Sequence, residues 1–181
     1  MRSDLRWLVA FAGNAVFLWL VSQANHHFTN LSLGSGAGSV YVLLVGLPIA
    51  FLGLRLNLRY ALVAGILTAL SMEAALPVPH GLIVIPSAVT ICTTIAFRGT
   101  FNRFDRTSAL LTALIVNLVF FVILTIAFPP ASSSHAGLRL AIDLIVSQVL
   151  LCALCGWFFA WQLALMRLFG FDLETELRES P

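Results

Sequence analysis

Two carboxylates, Glu73 and Asp143, lie inside long apolar runs, and they are the residues with the most chemistry to offer. A charged group at bilayer depth is costly, faces the protein interior, and marks an ion pair, a proton path or a ligand site. Arg139 precedes Asp143 by four residues and Ser147 follows it by four, so all three share one helix face and the first two can pair. Glu73 follows Arg59 by fourteen residues, which at ~1.5 Å per residue lifts it roughly 21 Å above that arginine. Asp143 comes in from the other end, one turn after Arg139, so the two acids reach similar depth. All four histidines, His26, His27, His80 and His135, fall toward that same outer end. Glu73, His80, His135, Arg139 and Asp143 thus define a candidate polar site at one mouth. A plainer reading, a structural ion pair among ordinary interfacial polar groups, is preferred.

Other chemistry is weakly represented. No two histidines have helical ligand spacing, and His26 and His27 are adjacent, so no metal site is expected. Cys152-Ala-Leu-Cys155 is formally a CxxC, but with Cys92 it falls in apolar sequence, where cysteine acts as a small hydrophobe. There is no HExxH, GxSxG, Walker A or dinucleotide fingerprint. A non-enzymatic chain without a cofactor is expected.

The elements that must position these groups are helices in a bilayer. The chain is 60% hydrophobic and 10% charged, with mean hydropathy +0.98, against ~25% charge in a soluble domain. Six apolar segments, near residues 7–24, 40–55, 59–76, 81–97, 107–128 and 138–166, read as an all-α polytopic membrane protein of about six transmembrane helices. Every arginine but Arg139 falls on one side if both termini are cytoplasmic, and there is no lysine. The positive-inside rule selects that orientation. The arginines are dispersed and the net charge is +2, so nucleic acid is not an expected partner. Residues 1–170 form one transmembrane domain, followed by a short acidic cytoplasmic tail over 171–181. The N-terminus resembles a signal peptide, but its apolar stretch is near spanning length and contains Asn14, so a retained first helix is expected.

The connections are short. The first outer loop spans Asn25 to about Ser39, with a flexible Gly/Ser run over 34–39 and a sequon at Asn30. Pro48 predicts a kink in the second helix. Arg55-Leu56-Asn57-Leu58-Arg59 is a tight inner turn, and Pro77-Val78-Pro79-His80-Gly81 breaks the chain after helix three. The basic loop Arg98–Arg106 could meet anionic lipid, although setting topology is sufficient reason for its charge. Pro129-Pro130 ends helix five, and the long sixth segment should tilt or protrude. Its aromatic group, Trp157-Phe158-Phe159 with Trp161, fits interfacial anchoring.

Helix three carries a second pattern. Ala61, Gly65, Ala69 and Glu73 recur every four residues, the spacing by which bilayer helices approach closely. Packing within the chain is favoured over a partner interface. This stretch resembles the bacterial rod-shape-determining protein MreD family, whose most recognisable sequence has a glycine, a small residue four later, an Asp four after that, and a glycine eight further on. Here these are Gly65, Ala69, Glu73 and Gly81. The basic turn before it, the helix ending near Phe97-Arg98, and the last helix ending in Leu165-Met166-Arg167 also suit that layout. The acid departs from the usual Asp, Gly38-Ser39-Val40-Tyr41 replaces a Pro-polar opening of helix two, and Pro77 and Pro79 are additional.

The resemblance implies a non-catalytic scaffold of the cell-elongation machinery in the bacterial inner membrane. It would bind a bitopic MreC-like partner and help couple the MreB cytoskeleton to peptidoglycan synthases. Gly65, Ala69, Glu73, Gly81, Arg139 and Asp143 would then be partner-binding or structural residues. A rival reading is a small-molecule-binding subunit of an energy-coupling-factor transporter, of similar size and helix number. A deep, closed outer pocket around Glu73 and Arg139 would favour the rival; an exposed apolar groove between helices would favour the scaffold.

Overall fold

In hydrocarbon a backbone N–H has no water to turn to, so an apolar run pairs its polar groups internally as a helix. A computed structural model describes residues 5–30, 41–75, 79–99, 105–128 and 136–171 of the chain. It has six helices: α1 (Arg6–Asn30), α2 (Gly46–Arg55), α3 (Leu58–Ala75), α4 (Val84–Phe97), α5 (Arg106–Ala127) and α6 (Ala136–Leu168). There is no strand among the described residues. Three stretches, Arg6–His27, Arg106–Ala127 and Gly137–Leu168, are long and apolar enough to cross a membrane. α6 has 33 residues, which at ~1.5 Å each makes it about 50 Å long and longer than the ~30 Å hydrocarbon layer.

The shortest helix is the centre of the bundle. All ten residues of α2 are buried, and it packs against α3, α4, α5 and α6, while α1 lies outside against α3 and α6. Phe51 of α2 meets the rings of Phe158 and Phe159 of α6 edge-on, at 6.3 and 5.5 Å, and Phe17 of α1 closes on Phe158 at 4.6 Å. The outward faces carry large aliphatic side chains, among them Ile115, Ile126 and Ile145, each more than half exposed. So wide an apolar surface is not sustained in water. It suits lipid, consistent with a helical membrane protein.

Two expected elements differ from the structure. The second segment is helical only from Gly46, and residues 41–44 are non-helical with a turn at Val45. Pro48 falls in the first turn of α2 and not in a helix interior, so its missing N–H has no helical acceptor to lose and the reason for expecting a kink does not apply. α1 also runs further than the apolar pattern, taking Asn25, His26 and His27 into its last turns. Arg2, residues 31–40 with the Gly/Ser run, Pro77 and Val78, Arg103, residues 129–135 with His135, and the tail 172–181 lie outside the described residues.

Close approach of the helices depends on glycines whose missing side chains make room for a neighbour. A Cβ on Gly53 would meet Thr94 Cγ2 of α4 at 2.7 Å, and one on Gly65 would fall on Ile91 Cδ1 of α4. A Cβ on Gly46 would fall on the Ala113 carbonyl oxygen of α5, with Asn117 Cβ at 2.7 Å. These obstacles are not equivalent. Ile91 Cδ1 is the end of a flexible side chain and can rotate away, whereas the Ala113 carbonyl belongs to a helix backbone. Gly46→Ala should therefore lower stability by about 1–3 kcal/mol through overpacking, and Gly65→Ala by clearly less. Thermal unfolding of the two variants in the same detergent checks this ordering.

Candidate functional site

Glu73 sits in the last turn of α3, 4% exposed. Its two carboxylate oxygens accept three backbone N–H groups: Gly81 to Oε2 at 3.0 Å, Ile83 to Oε1 at 2.7 Å and Val84 to Oε1 at 3.0 Å. Ile83 and Val84 are the N-cap and first residue of α4, so these are donors with no partner inside their own helix. A negative charge at that end also complements the helix dipole. The approach requires a sharp reversal, which Gly81 supplies at φ +91°, a conformation that L side chains rarely adopt. The eight-residue spacing of Glu73 and Gly81 is thus a direct contact, an acid capping the next helix. His80, beside it, is exposed.

Asp143 serves a different segment. Its Oδ1 accepts the Tyr41 N–H at 3.0 Å, and one turn further along α6 the Ser147 hydroxyl oxygen accepts the Leu43 N–H at 3.0 Å. From α1, Asn25 bonds both sides of Val42: Oδ1 accepts its N–H and Nδ2 donates to its carbonyl, each at 2.8 Å. From α5, Asn117 Oδ1 accepts the Gly46 N–H at 3.2 Å. Side chains of three helices thereby replace missing helical bonds at Tyr41, Val42, Leu43 and Gly46. The shared face of Asp143 and Ser147 is present as the spacing predicts; Arg139, one turn earlier, is exposed.

A third polar cluster ties α1, α3 and α6. Gln162 Nε2 donates to Asn14 Oδ1 at 2.8 Å, Asn14 Nδ2 donates to Thr68 Oγ1 at 3.4 Å, and Thr68 donates to the Ala64 carbonyl at 2.7 Å. All three side chains are fully buried.

The residues expected at one outer mouth therefore work on separate segments, Glu73 on the start of α4 and Asp143 on the stretch before α2. Gly65 and Ala69 are buried in packing within the chain. Asn14, Asn25, Asn117 and Gln162 were not among the predicted site residues. The signal for them was available as amides interrupting apolar runs, but attention to ionisable groups alone passes over it. A cavity of about 330 Å³ lies between α1, residues 41–45 and the end of α3. Its lining includes Leu18, Trp19, Val42, Leu44 and Met72, and neither Glu73, Asp143 nor Arg139. Of its polar residues, Asn25 is taken up by Val42, and Ser71 donates to the Leu67 carbonyl at 2.8 Å. Among the described residues no group of three His, Cys, Asp or Glu side chains gathers as for a metal, and Cys152 and Cys155 are both free thiols.

Removing the Glu73 carboxylate strands three backbone donors, the buried one at Ile83 and the part-buried ones at Gly81 and Val84, and a buried donor left unpaired costs ~1–3 kcal/mol. Glu73→Ala should lower the unfolding temperature sharply, and Glu73→Gln, which keeps one carbonyl oxygen, should fall between it and the parent. Gly81→Ala should be destabilised by strain at the positive φ. Thermal unfolding at neutral pH checks the order, and a parent-like Glu73→Ala would overturn the capping role. No protein-family model, no curated protein and no solved structure matches this chain, so the functional reading rests on its sequence and this geometry.

Proposed function

We propose that this protein is a non-catalytic scaffold with six membrane spans and cytoplasmic termini, seated in the bacterial inner membrane. On this reading it serves the cell-elongation machinery by holding a bitopic MreC-like partner. One observation carries the scaffold reading: the buried polar side chains at the outer end are turned onto the chain's own backbone. Glu73, Asp143, Asn25, Ser147 and Asn117 all accept N–H groups of residues 41–46 or 81–84. A ligand or reaction site needs convergent polar groups aimed into a cavity. The resemblance to the MreD family supplies the machinery, and its spacing gains a physical reason, since the acid captures the glycine eight residues on.

A scaffold must leave a face for its partner. The small-residue stripe of α3 is buried within the bundle, with Ile91 of α4 against Gly65, but α6 bears a second one on its outward side. Cys152, Gly156, Ala160 and Ala164 recur every four residues and are all exposed, and a Cβ on Gly156 would meet nothing within 4 Å. Small residues at this spacing admit a second bilayer helix. The energy-coupling-factor reading has the cavity of about 330 Å³ in its favour, a volume at the low end of the ~300–1,000 Å³ range of ligand sites.

Affinity purification of the solubilised protein from its native host, followed by mass spectrometry, separates the two. A bitopic MreC-like protein with cell-wall synthases is the expected recovery; ATPase subunits or a tightly held small molecule would transfer the function to transport. Gly156→Leu should reduce partner recovery several-fold while leaving the unfolding temperature unchanged. Full recovery with that variant would exclude the α6 face. A cytoplasmic reporter fused to the C-terminus should be active, and an inactive one would overturn the topology.

A further inference from the structure

Each of the six helices carries an arginine at the same end of the bundle. Arg6 opens α1, Arg55 closes α2, Arg59 is second in α3, Arg98 follows α4, Arg106 opens α5 and Arg167 lies next to the end of α6. Contacts tie these ends together. Arg98 Nη1 donates to the Leu56 carbonyl in the α2–α3 turn at 2.9 Å. The Arg6 guanidinium lies 6.0 Å from the Tyr60 ring of α3 and 5.7 Å from the Phe171 ring just beyond α6. α5 runs antiparallel to α2 with Ala113 and Asn117 against Gly46, which brings Arg106 level with Arg55. Among the described residues Asp105 is the only acid at this end.

Helix stability does not explain the arrangement. Arg6, Arg59 and Arg106 stand at helix N-termini, where the dipole disfavours a cation. Orientation in the membrane does not explain it fully either, because lysine would satisfy that rule and the chain has none. Arginine's planar fork binds phosphate through two parallel hydrogen bonds, which lysine cannot do. Directly beside the arginines, Leu58, Phe97, Leu168 and Phe169 are 45%, 62%, 78% and 60% exposed. Such side chains belong in hydrocarbon, so the ring sits where the headgroups begin.

We infer that the exposed members Arg59 and Arg106 of this arginine ring bind the phosphates of anionic phospholipid headgroups, while Arg55 is buried beneath them. The inference does not depend on the partner proposed above. The test is thermal unfolding of the full chain in nanodiscs of phosphatidylcholine, alone or mixed with phosphatidylglycerol. The parent should melt several degrees higher in the mixture. The Arg59→Gln/Arg106→Gln variant should match the parent in phosphatidylcholine but lose at least half of that rise. The Arg59→Lys/Arg106→Lys variant, which keeps the charge, should also fall short of it. No rise in the parent would overturn the inference. A full rise in the Lys pair would reduce the effect to bulk electrostatics and overturn the arginine site. If the Gln pair does not fold, the parent and the Lys pair decide the question.

Discussion

The fold depends on satisfying backbone N–H groups where the chain is not helical. Residues 42–45 are buried, so their backbone groups find no solvent and must find side chains or one another. Here Asp143, Asn25, Ser147 and Asn117 converge on residues 41–46, and Glu73 takes three N–H groups at residues 81–84. Once those bonds are made, α2 can be short, begin deep in the bundle and be buried on every side.

That dependence explains which parts of the structure were legible in the sequence. Helix number and the approximate bounds of α3, α5 and α6 follow from apolar run length, which composition reports directly. The shared face of Asp143 and Ser147 follows from helical spacing. The break before α2 does not follow, because residues 41–45 are as apolar as the helix after them. Their shape is set by acceptors on three other helices, up to 104 residues away in the chain. Pro48 was a real signal read in the wrong sense, since proline near a helix start and proline in a helix interior look alike until the start is known. Glu73 was legible as a buried acid, but its role needed the path of the chain through Gly81.

The two small-residue stripes make the same point about packing. By sequence Ala61, Gly65 and Ala69 are the more conspicuous, and they are covered by the protein itself. Lipid offers no hydrophobic drive for helices to associate, so close van der Waals contact does that work, and glycine permits it. The stripe on α6 has the same spacing and no intramolecular neighbour at Gly156. Spacing alone cannot tell a face used within the chain from one left outward. Only the arrangement of the other helices separates them.

The Gln162–Asn14–Thr68 cluster shows what polar side chains contribute inside such a bundle. Each interhelical hydrogen bond in a membrane protein is worth only ~0.6 kcal/mol on average, because the separated helices find other partners. Stability is therefore a poor reason for three fully buried polar groups. Register is a better one. Apolar helices slide against one another at little cost, but a shift of one residue on α6 would carry Gln162 away from Asn14 and also from Gly13, whose missing side chain leaves the room Gln162 occupies. The cluster sets α1, α3 and α6 in one relative position. That position in turn places Asn25 near the far end of α1, and Asp143 and Ser147 on α6, where residues 41–43 need them.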